Sequence, residues 1–330
     1  MSKSLLIDKY GRELNYLRLS VTDRCNFRCY YCMPEEGVDY AKRTDLLSLQ
    51  ELYTLSEAFC RLGVSKIRIT GGEPFMRKGI LSFLRKISRL EELQEISITS
   101  NGTLFSRHLH ELHEMGIRKI NLSLDSLDKH RFHDITRRDS FEHVYSSIFQ
   151  LLEAGFEVKI NCVVAAGKNT DDIIPFIKLT RNNPLSVRFL EEMPFNGSNA
   201  FNLLNWNHED IYKHINRHYP QIEKLQSETT STSVNYKVPG YQGSFGIIPS
   251  FSRTFCGTCN RIRLSATGEL RTCLYGSPAA NLRDLLRQGA SAGSIAQEII
   301  AAVGMREKDG FAAEALGKNA VHESMSVLGG

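Results

Sequence analysis

Six short apolar runs punctuate the first two-thirds of the chain, at residues 16–21, 66–70, 95–99, 119–124, 158–164 and 186–190. Each is short and rich in Ile, Val, Leu or Phe, the composition of a parallel strand buried on both faces. Between most of them the apolar positions fall at helical spacing, over 48–62, 79–90, 107–115, 141–154 and 170–180. Ser48 precedes Glu51 by three residues, a capping-box start. Gly63, Gly116 and Gly155 stand just past three of these helices, where a left-handed C-cap favours glycine. Strands alternating with helices at this interval predict right-handed βαβ units. Six units fall short of the eight that close a barrel. The fold class expected is therefore α/β, a partial six-unit βα barrel, with a doubly wound sheet as the alternative reading of the same pattern.

After about residue 195 the pattern weakens. Residues 196–207 read as a polar loop and 208–218 as a helix. The stretch 226–235 is rich in Ser and Thr and is expected to be flexible. Helices follow near 282–286 and 295–303, and the tail 324–330, ending in Gly329-Gly330, shows no helical period. Two domains are expected, a barrel over 1–225 and an extension over 226–330 with a flexible Gly-Gly end. The chain of 330 residues is 42% hydrophobic and 24% charged, enough to build a core. Its formal charge of +4 is too small to imply a nucleic-acid partner by field alone. No apolar stretch approaches the roughly 18 residues of a membrane helix, and the first ten residues hold too short an apolar run for a signal peptide. A cytoplasmic address without membrane association is expected.

In a reducing compartment, eight cysteines need an explanation other than disulfides. Cys60 and Cys162 stand alone within apolar stretches and read as buried small hydrophobes. The other six form two groups. Cys25, Cys29 and Cys32 have the spacing C-x3-C-x2-C directly after the first strand. Three thiolates so close can hold three irons of a cubane cluster and leave the fourth iron open. Zinc is the alternative, but it would call for a fourth Cys or His nearby, and the nearest His is His108. Cys256, Cys259 and Cys273 have the spacing C-x2-C-x13-C, which alone suggests a zinc ribbon short of one ligand. Beside the first group, a second cluster with an open iron is the better reading. Arg261 and Arg263 alternate between these cysteines and share one face, an arrangement that suits a phosphate or carboxylate.

The first cysteine spacing, with Tyr31 before its third cysteine, resembles the signature of the radical S-adenosylmethionine enzymes. Gly71-Gly72-Glu73-Pro74, after the second strand, is similar to that family's GGEP loop. Further segments resemble the GTP 3',8-cyclase family of molybdenum cofactor biosynthesis over nearly the whole chain. They are Leu17–Cys25, Arg68–Pro74, Asn121–Asp125, Arg188–Met193, the second cysteine group and the terminal Gly329-Gly330. Two departures stand out: Thr99-Ser100-Asn101-Gly102 where the family has Thr-Thr-Asn-Gly, and a loose match over 196–249.

The resemblance implies two [4Fe-4S] clusters, one on each cysteine group, in a barrel of the radical enzyme type with a cluster-binding C-terminal extension. It implies that Tyr31, Gly72, Glu73, Ser123 and Met193 contact S-adenosylmethionine, with Glu73 offsetting the cofactor's cation. Arg18, Arg68, Thr99, Lys159, Arg261 and Arg263 fall on GTP-binding positions, with Arg188 near that set. Arg18, Arg261 and Arg263 are the expected catalytic residues, and the second cluster's open iron would face the guanine. The implied reaction abstracts hydrogen from C3' of GTP and joins C3' to C8. The implied partners are an electron donor that the sequence does not name, a second copy of the chain in a homodimer, and a downstream cyclic pyranopterin monophosphate synthase that receives the product. A peptide-modifying radical enzyme with an auxiliary cluster is the alternative activity, though such enzymes tend to carry more C-terminal cysteines. A zinc-stabilised nucleic-acid binder is the alternative from another class.

Overall fold

The computed structural model describes residues 6–195, 206–317 and 323–328. All six expected strands are present: β1 (Tyr16–Ser20), β2 (Lys66–Thr70), β3 (Glu95–Ser100), β4 (Lys119–Ser123), β5 (Glu157–Val164) and β6 (Ser186–Glu191). Six further strands follow. They are β7 (Glu223–Lys224), β8 (Val234–Lys237), β9 (Ser244–Ile248), β10 (Arg261–Leu264), β11 (Glu269–Arg271) and β12 (Ala280–Asn281). All twelve belong to one sheet, ordered β12-β11-β10-β1-β2-β3-β4-β5-β6-β9-β8-β7. The eight neighbours from β10 to β9 run parallel, and the two outer ribbons are antiparallel. Residues beyond 225 thus join the same sheet at both edges: β10 pairs with β1, and β9 with β6. The barrel remains open, because β9 and β10 are not neighbours.

The helices that cover the first six strands are α1 (Leu49–Arg61), α2 (Ile80–Ile87), α3 (Leu109–Glu114), α4 (Lys129–Thr136), α5 (Phe141–Glu153) and α6 (Ile173–Leu179). The C-terminal part adds α7 (His208–His218), α8 (Leu282–Arg287), α9 (Ala292–Gly304), α10 (Gly310–Leu316) and α11 (Met325–Leu328). Helix α1 begins as expected: the Ser48 hydroxyl accepts from the Glu51 N–H, and the Glu51 carboxylate accepts from the Ser48 N–H. Two stretches hold more regular structure than their sequence pattern suggests. The tail forms a helical turn, α11, although it lacks a helical period. The Ser/Thr-rich stretch expected to be flexible holds a bonded turn, in which the Ser231 hydroxyl donates to the Ser233 carbonyl, and it runs into β8. Helix α4 was not expected. Its sequence is mostly polar, it buries only Phe132, Ile135 and Thr136, and it is started by an Asp128 cap. The segment 196–205 and Gly329-Gly330 lie outside the described residues. No helix among those described is long and apolar enough to cross a membrane.

Strand alternation decides where the site can be. Leu17, Leu19, Ile67, Ile69, Val158 and Ile160 are fully buried toward the helices. Burying each contributes about 1.5–3 kcal/mol. The alternate positions point the other way, and they are polar: Arg18, Arg68, Thr99, Ser123, Lys159 and Arg188. A closed βα barrel fills its interior with branched apolar side chains. Here charged and hydroxyl groups occupy that place and line a cavity of about 610 Å³.

Candidate active site

The first cysteine loop leaves β1 and is clasped from two sides. On one side, the Arg28 and Tyr30 N–H groups donate to the carbonyls of Thr136 and Ile135 at the end of α4. On the other, the Gly72 N–H donates to the Thr22 carbonyl and the Glu73 N–H to the Arg24 carbonyl, both at 2.8 Å. A Cβ on Gly72 would lie 2.3 Å from the Arg24 oxygen, and one on Gly71 (φ +143°) 2.4 Å from that of Thr22. Both positions therefore require glycine. The pair brings the turn after β2 against the chain entering Cys25.

Glu73 lies at the end of the turn that follows β2. It is fully buried and absent from the cavity wall. Its carboxylate accepts from the Ser100 hydroxyl and from the N–H groups of Asn101 and Phe75. Burial pushes its carboxyl up to about 7, against the pull of those bonds. Glu73 therefore ties the turn after β2 to the end of β3. From there Asn101 donates to Asn26 at 2.8 Å and reaches the Cys25 sulfur at 3.8 Å.

Both cysteine groups open on the cavity. Burial pushes the Cys25 thiol up to about 12 and Cys32 up to about 11, and raises Cys29 as well. Cys256 and Cys273 are also raised by burial. Cys259 differs: burial works upward, but Arg261 and Arg306 pull its thiol down to about 6. Among the described residues no three His, Cys, Asp or Glu side chains close on a single metal ion. The fold supplies three thiols per group on a shared wall, a donor set that fits a thiolate-held iron–sulfur cluster. Cys60 and Cys162 are fully buried, as expected of small hydrophobes.

Between the two groups lies a cationic wall, built by register. Arg18 on β1 stands beside Arg68 on β2 and Arg263 on β10, while Arg261 stands beside Tyr16. Arg188 on β6 pairs in register with Asn161 on β5. Burial, and then the mutual repulsion of Arg18, Arg263 and Arg68, lowers the Arg18 guanidinium well below its ordinary value. Burial likewise lowers Arg188 and Arg263 to about 10. Among the described residues, buried N–H groups of Arg18, Arg188, Arg261 and Arg263 have no partner, and neither does the Thr99 hydroxyl. Each buried unpaired donor costs roughly 1–3 kcal/mol. So many together are the signature of a site that awaits a polyanion with many acceptor oxygens. Arg68 and Lys159 also line the cavity but already have partners, Ser97 for the first and Glu157 for the second.

Tyr31, Ser123 and Met193 line the cavity too. The Tyr31 hydroxyl donates to Asp125 at 2.7 Å, and the same carboxylate accepts from the Val163 N–H. Burial pushes the Asp125 carboxyl up to about 6. Asp125 and Asn101 also line the cavity, although the motifs assign them no role of their own. Their position at strand C-terminal ends, where chemistry gathers in parallel α/β folds, was the available signal. The tail completes the wall: the Ser324 hydroxyl donates to the Cys32 carbonyl, and Met325 and Ser326 face the cavity.

Two family models match the chain, the Radical SAM superfamily over residues 19–180 and Molybdenum Cofactor Synthesis C over 185–311. The chain is 42% identical over 291 residues to GTP 3',8-cyclase of Peptoclostridium acidaminophilum, covering 87% of this chain and 89% of that protein. It is 42% identical over 307 residues to Molybdenum cofactor biosynthesis protein 1 of Homo sapiens, covering 92% of this chain. The chain spans about half the length of that human protein and of its cattle and mouse counterparts, 48% in each case. Among solved structures, Streptococcus suis SuiB bound to S-adenosylmethionine superposes with a TM-score of 0.59 at 14% identity, covering 88% of this chain and 69% of that one. At that identity the likeness concerns the fold.

Proposed function

Because the chain belongs to the radical SAM superfamily and, within it, to the GTP 3',8-cyclase family, we propose that it cyclises GTP to 3',8-cyclo-7,8-dihydroguanosine 5'-triphosphate in molybdenum cofactor biosynthesis. The observation that carries this reading is the wall of guanidiniums whose buried N–H groups find no partner among the described residues, lying between two three-thiol groups on one cavity. A mononucleotide triphosphate supplies the anionic oxygens those donors lack. A peptide substrate has no comparable demand for them.

In this reading Cys25, Cys29 and Cys32 hold one [4Fe-4S] cluster, and Cys256, Cys259 and Cys273 hold the other. When bound, the first cluster with S-adenosylmethionine supplies a 5'-deoxyadenosyl radical able to abstract the hydrogen at C3'. The protein's own part is to bind and orient. Arg18, Arg261 and Arg263 neutralise the triphosphate, with Arg188 and Thr99 donating from the adjoining strands and Arg68 and Lys159 at the edge. Tyr31 and Met193 form the cofactor side of the wall, Ser123 offers a hydroxyl, and Gly72 keeps the cysteine loop in place. The bond to Asp125 fixes the Tyr31 ring on that wall. Fixing two reactants in one geometry is worth up to about 7–11 kcal/mol of barrier.

The finer assignments belong to the same proposal. The chain acts as a cytoplasmic homodimer, takes electrons from a donor whose identity is open, and passes its product to a cyclic pyranopterin monophosphate synthase. The barrel and its cluster-binding extension, divided near residue 225, work as one catalytic unit. The test is turnover: anaerobically reconstituted protein with reductant and S-adenosylmethionine should convert GTP, and not ATP, into a cyclised product. Equal conversion of both nucleotides, or of neither, would contradict it.

A further inference from the structure

Beside the second cysteine group, where Arg12 and Arg306 reach the same cavity as the guanidinium wall, lies a buried ionic cluster that the reading above does not use. The chain before β1 forms a hairpin in which the Leu14 N–H donates to the Leu6 carbonyl at 2.7 Å. In its turn the Asp8 carboxylate accepts from Arg12 Nε at 2.6 Å and from the Tyr10 and Arg12 N–H groups. Arg12 then reaches across to the other end of the chain. Its Nη1 donates to the carbonyls of Cys256 (3.0 Å) and Lys308 (2.6 Å), and its Nη2 to that of Glu307 (2.6 Å). Arg306 sits beside it, with Nη1 donating to the Cys259 carbonyl at 2.8 Å and lying 3.9 Å from Asp8. The side chains are 0% (Asp8), 8% (Arg12) and 3% (Arg306) exposed.

Two guanidiniums and one carboxylate leave a net positive charge buried against the turn that carries Cys256 and Cys259. Each of those two cysteines has its backbone carbonyl gripped by a different arginine. Placing three charged groups out of water is costly unless they are paired and fully bonded. The hairpin makes that arrangement possible by fixing Asp8 between the two cations. Arg261 and Arg263 share the cavity with Arg12 and Arg306 and add their own charge near this group, Arg261 most strongly at Cys259, while Arg271 turns to Glu323 of the tail. Arg12 and Arg306 are the cations bonded to the cysteine turn itself.

We propose that the Arg12–Asp8–Arg306 triad positions the Cys256–Cys259 turn and holds positive charge against the cluster on the second group, raising that cluster's reduction potential. The inference rests on the reading that Cys256, Cys259 and Cys273 bind a cluster. Its physical basis is that a reduced cluster carries one more negative charge than an oxidised one. A fixed nearby cation therefore favours the reduced form, net charge and hydrogen bonding being among the factors that set cluster potentials. Arg12 and Arg306 are positioning residues and touch no reacting atom.

The test uses the full chain with Cys25, Cys29 and Cys32 replaced by Ala, so that one cluster remains and its electron paramagnetic resonance can be titrated against potential. Arg306→Met should shift the midpoint to lower potential, and Arg306→Lys should return most of the shift. Arg12→Lys keeps the charge but loses the fork, so it should leave the midpoint nearly in place while lowering iron retention. If Arg306→Met does not fold, Arg306→Gln carries the same expectation. An unchanged midpoint and spectrum in Arg306→Met, or equal shifts in the Met and Lys variants, would overturn the proposal while leaving the GTP reading intact. A parent protein that retains no iron would overturn the cluster assignment and this inference together.

Discussion

Two cations on the same cavity wall make different demands. Arg263 is buried with an unpartnered N–H, whereas Lys159 is already paired with Glu157. A triphosphate satisfies the first at no local loss but must compete with a carboxylate for the second. Arg263→Ala should therefore weaken GTP binding by about 1.5–3 kcal/mol, roughly 10- to 150-fold. Lys159→Ala should weaken it by clearly less. Equilibrium dialysis of both variants checks the ranking, and a larger loss for Lys159→Ala would reverse this account of the wall. Gly72 makes a steric case. A methyl group there meets a backbone oxygen, which cannot turn aside as a flexible side chain could. Gly72→Ala should cost about 1–3 kcal/mol through overpacking and reduce the iron held by the first group, both readable from melting temperature and iron analysis.

At the scale of elements, α1 is joined to α8 through one carboxylate. Arg287 of α8 donates to Glu51 at 2.8 and 3.1 Å while Glu51 closes the capping box. The Arg287 bond, working against burial and aided by the Ser48 N–H, holds the Glu51 carboxyl down from an ordinary 4.5 to about 2. A lowered acid stabilises the fold in its charged form. The contribution is full above pH 4.5 and is lost as the pH falls toward 2. Glu51→Ala should destabilise by about 0.5–2 kcal/mol near neutrality. Its melting deficit should shrink between pH 4.5 and 2, and a deficit constant across that window would show that the charge is idle. The tail is held in a comparable way. Arg271 pairs with Glu323, and Leu328 packs with Phe195 and Tyr275. Combining Glu323→Ala with Leu328→Ala should lower cyclisation while iron content stays unchanged. Full turnover in that variant would show that the tail plays no part in the wall.

These elements were legible in the sequence to very different degrees. The strands β1–β6 announce themselves because a parallel strand covered on both faces reads as a short branched-apolar run. Helix α4 does not, since one buried side and a single Asp cap leave little hydrophobic signal among Lys129, His130 and Arg131. Strand β10 was readable as strand-like from Arg261 and Arg263, but its place beside β1 was not. That pairing joins residues about 245 positions apart, as Tyr16 and Arg261 show. The cysteine groups were legible because their ligands are close in sequence. Asp8, Arg12 and Arg306 were not, because only the folded sheet brings the two ends of the chain together. Glu73 was legible as a motif residue, but its buried bonds to Ser100 and Asn101 were not, because they join the ends of two different strands.

For the whole molecule, the consequence of this sheet is that one cavity receives both cysteine groups. Residues before 195 bring the first group with Arg18, Arg68 and Arg188, while residues after 250 bring the second group with Arg261 and Arg263. Neither part builds the site alone. The central claim is a division of labour across that cavity, with the cofactor at Cys25–Cys29–Cys32 and the nucleotide at Cys256–Cys259–Cys273 and its arginines. The most direct measurement is 5'-deoxyadenosine formation under strong reductant, with GTP binding assayed in parallel, for Cys29→Ser and Cys259→Ser. The account predicts no 5'-deoxyadenosine from Cys29→Ser. From Cys259→Ser it predicts residual, uncoupled 5'-deoxyadenosine together with impaired GTP binding and no cyclised product. Sustained 5'-deoxyadenosine from Cys29→Ser and none from Cys259→Ser would contradict it.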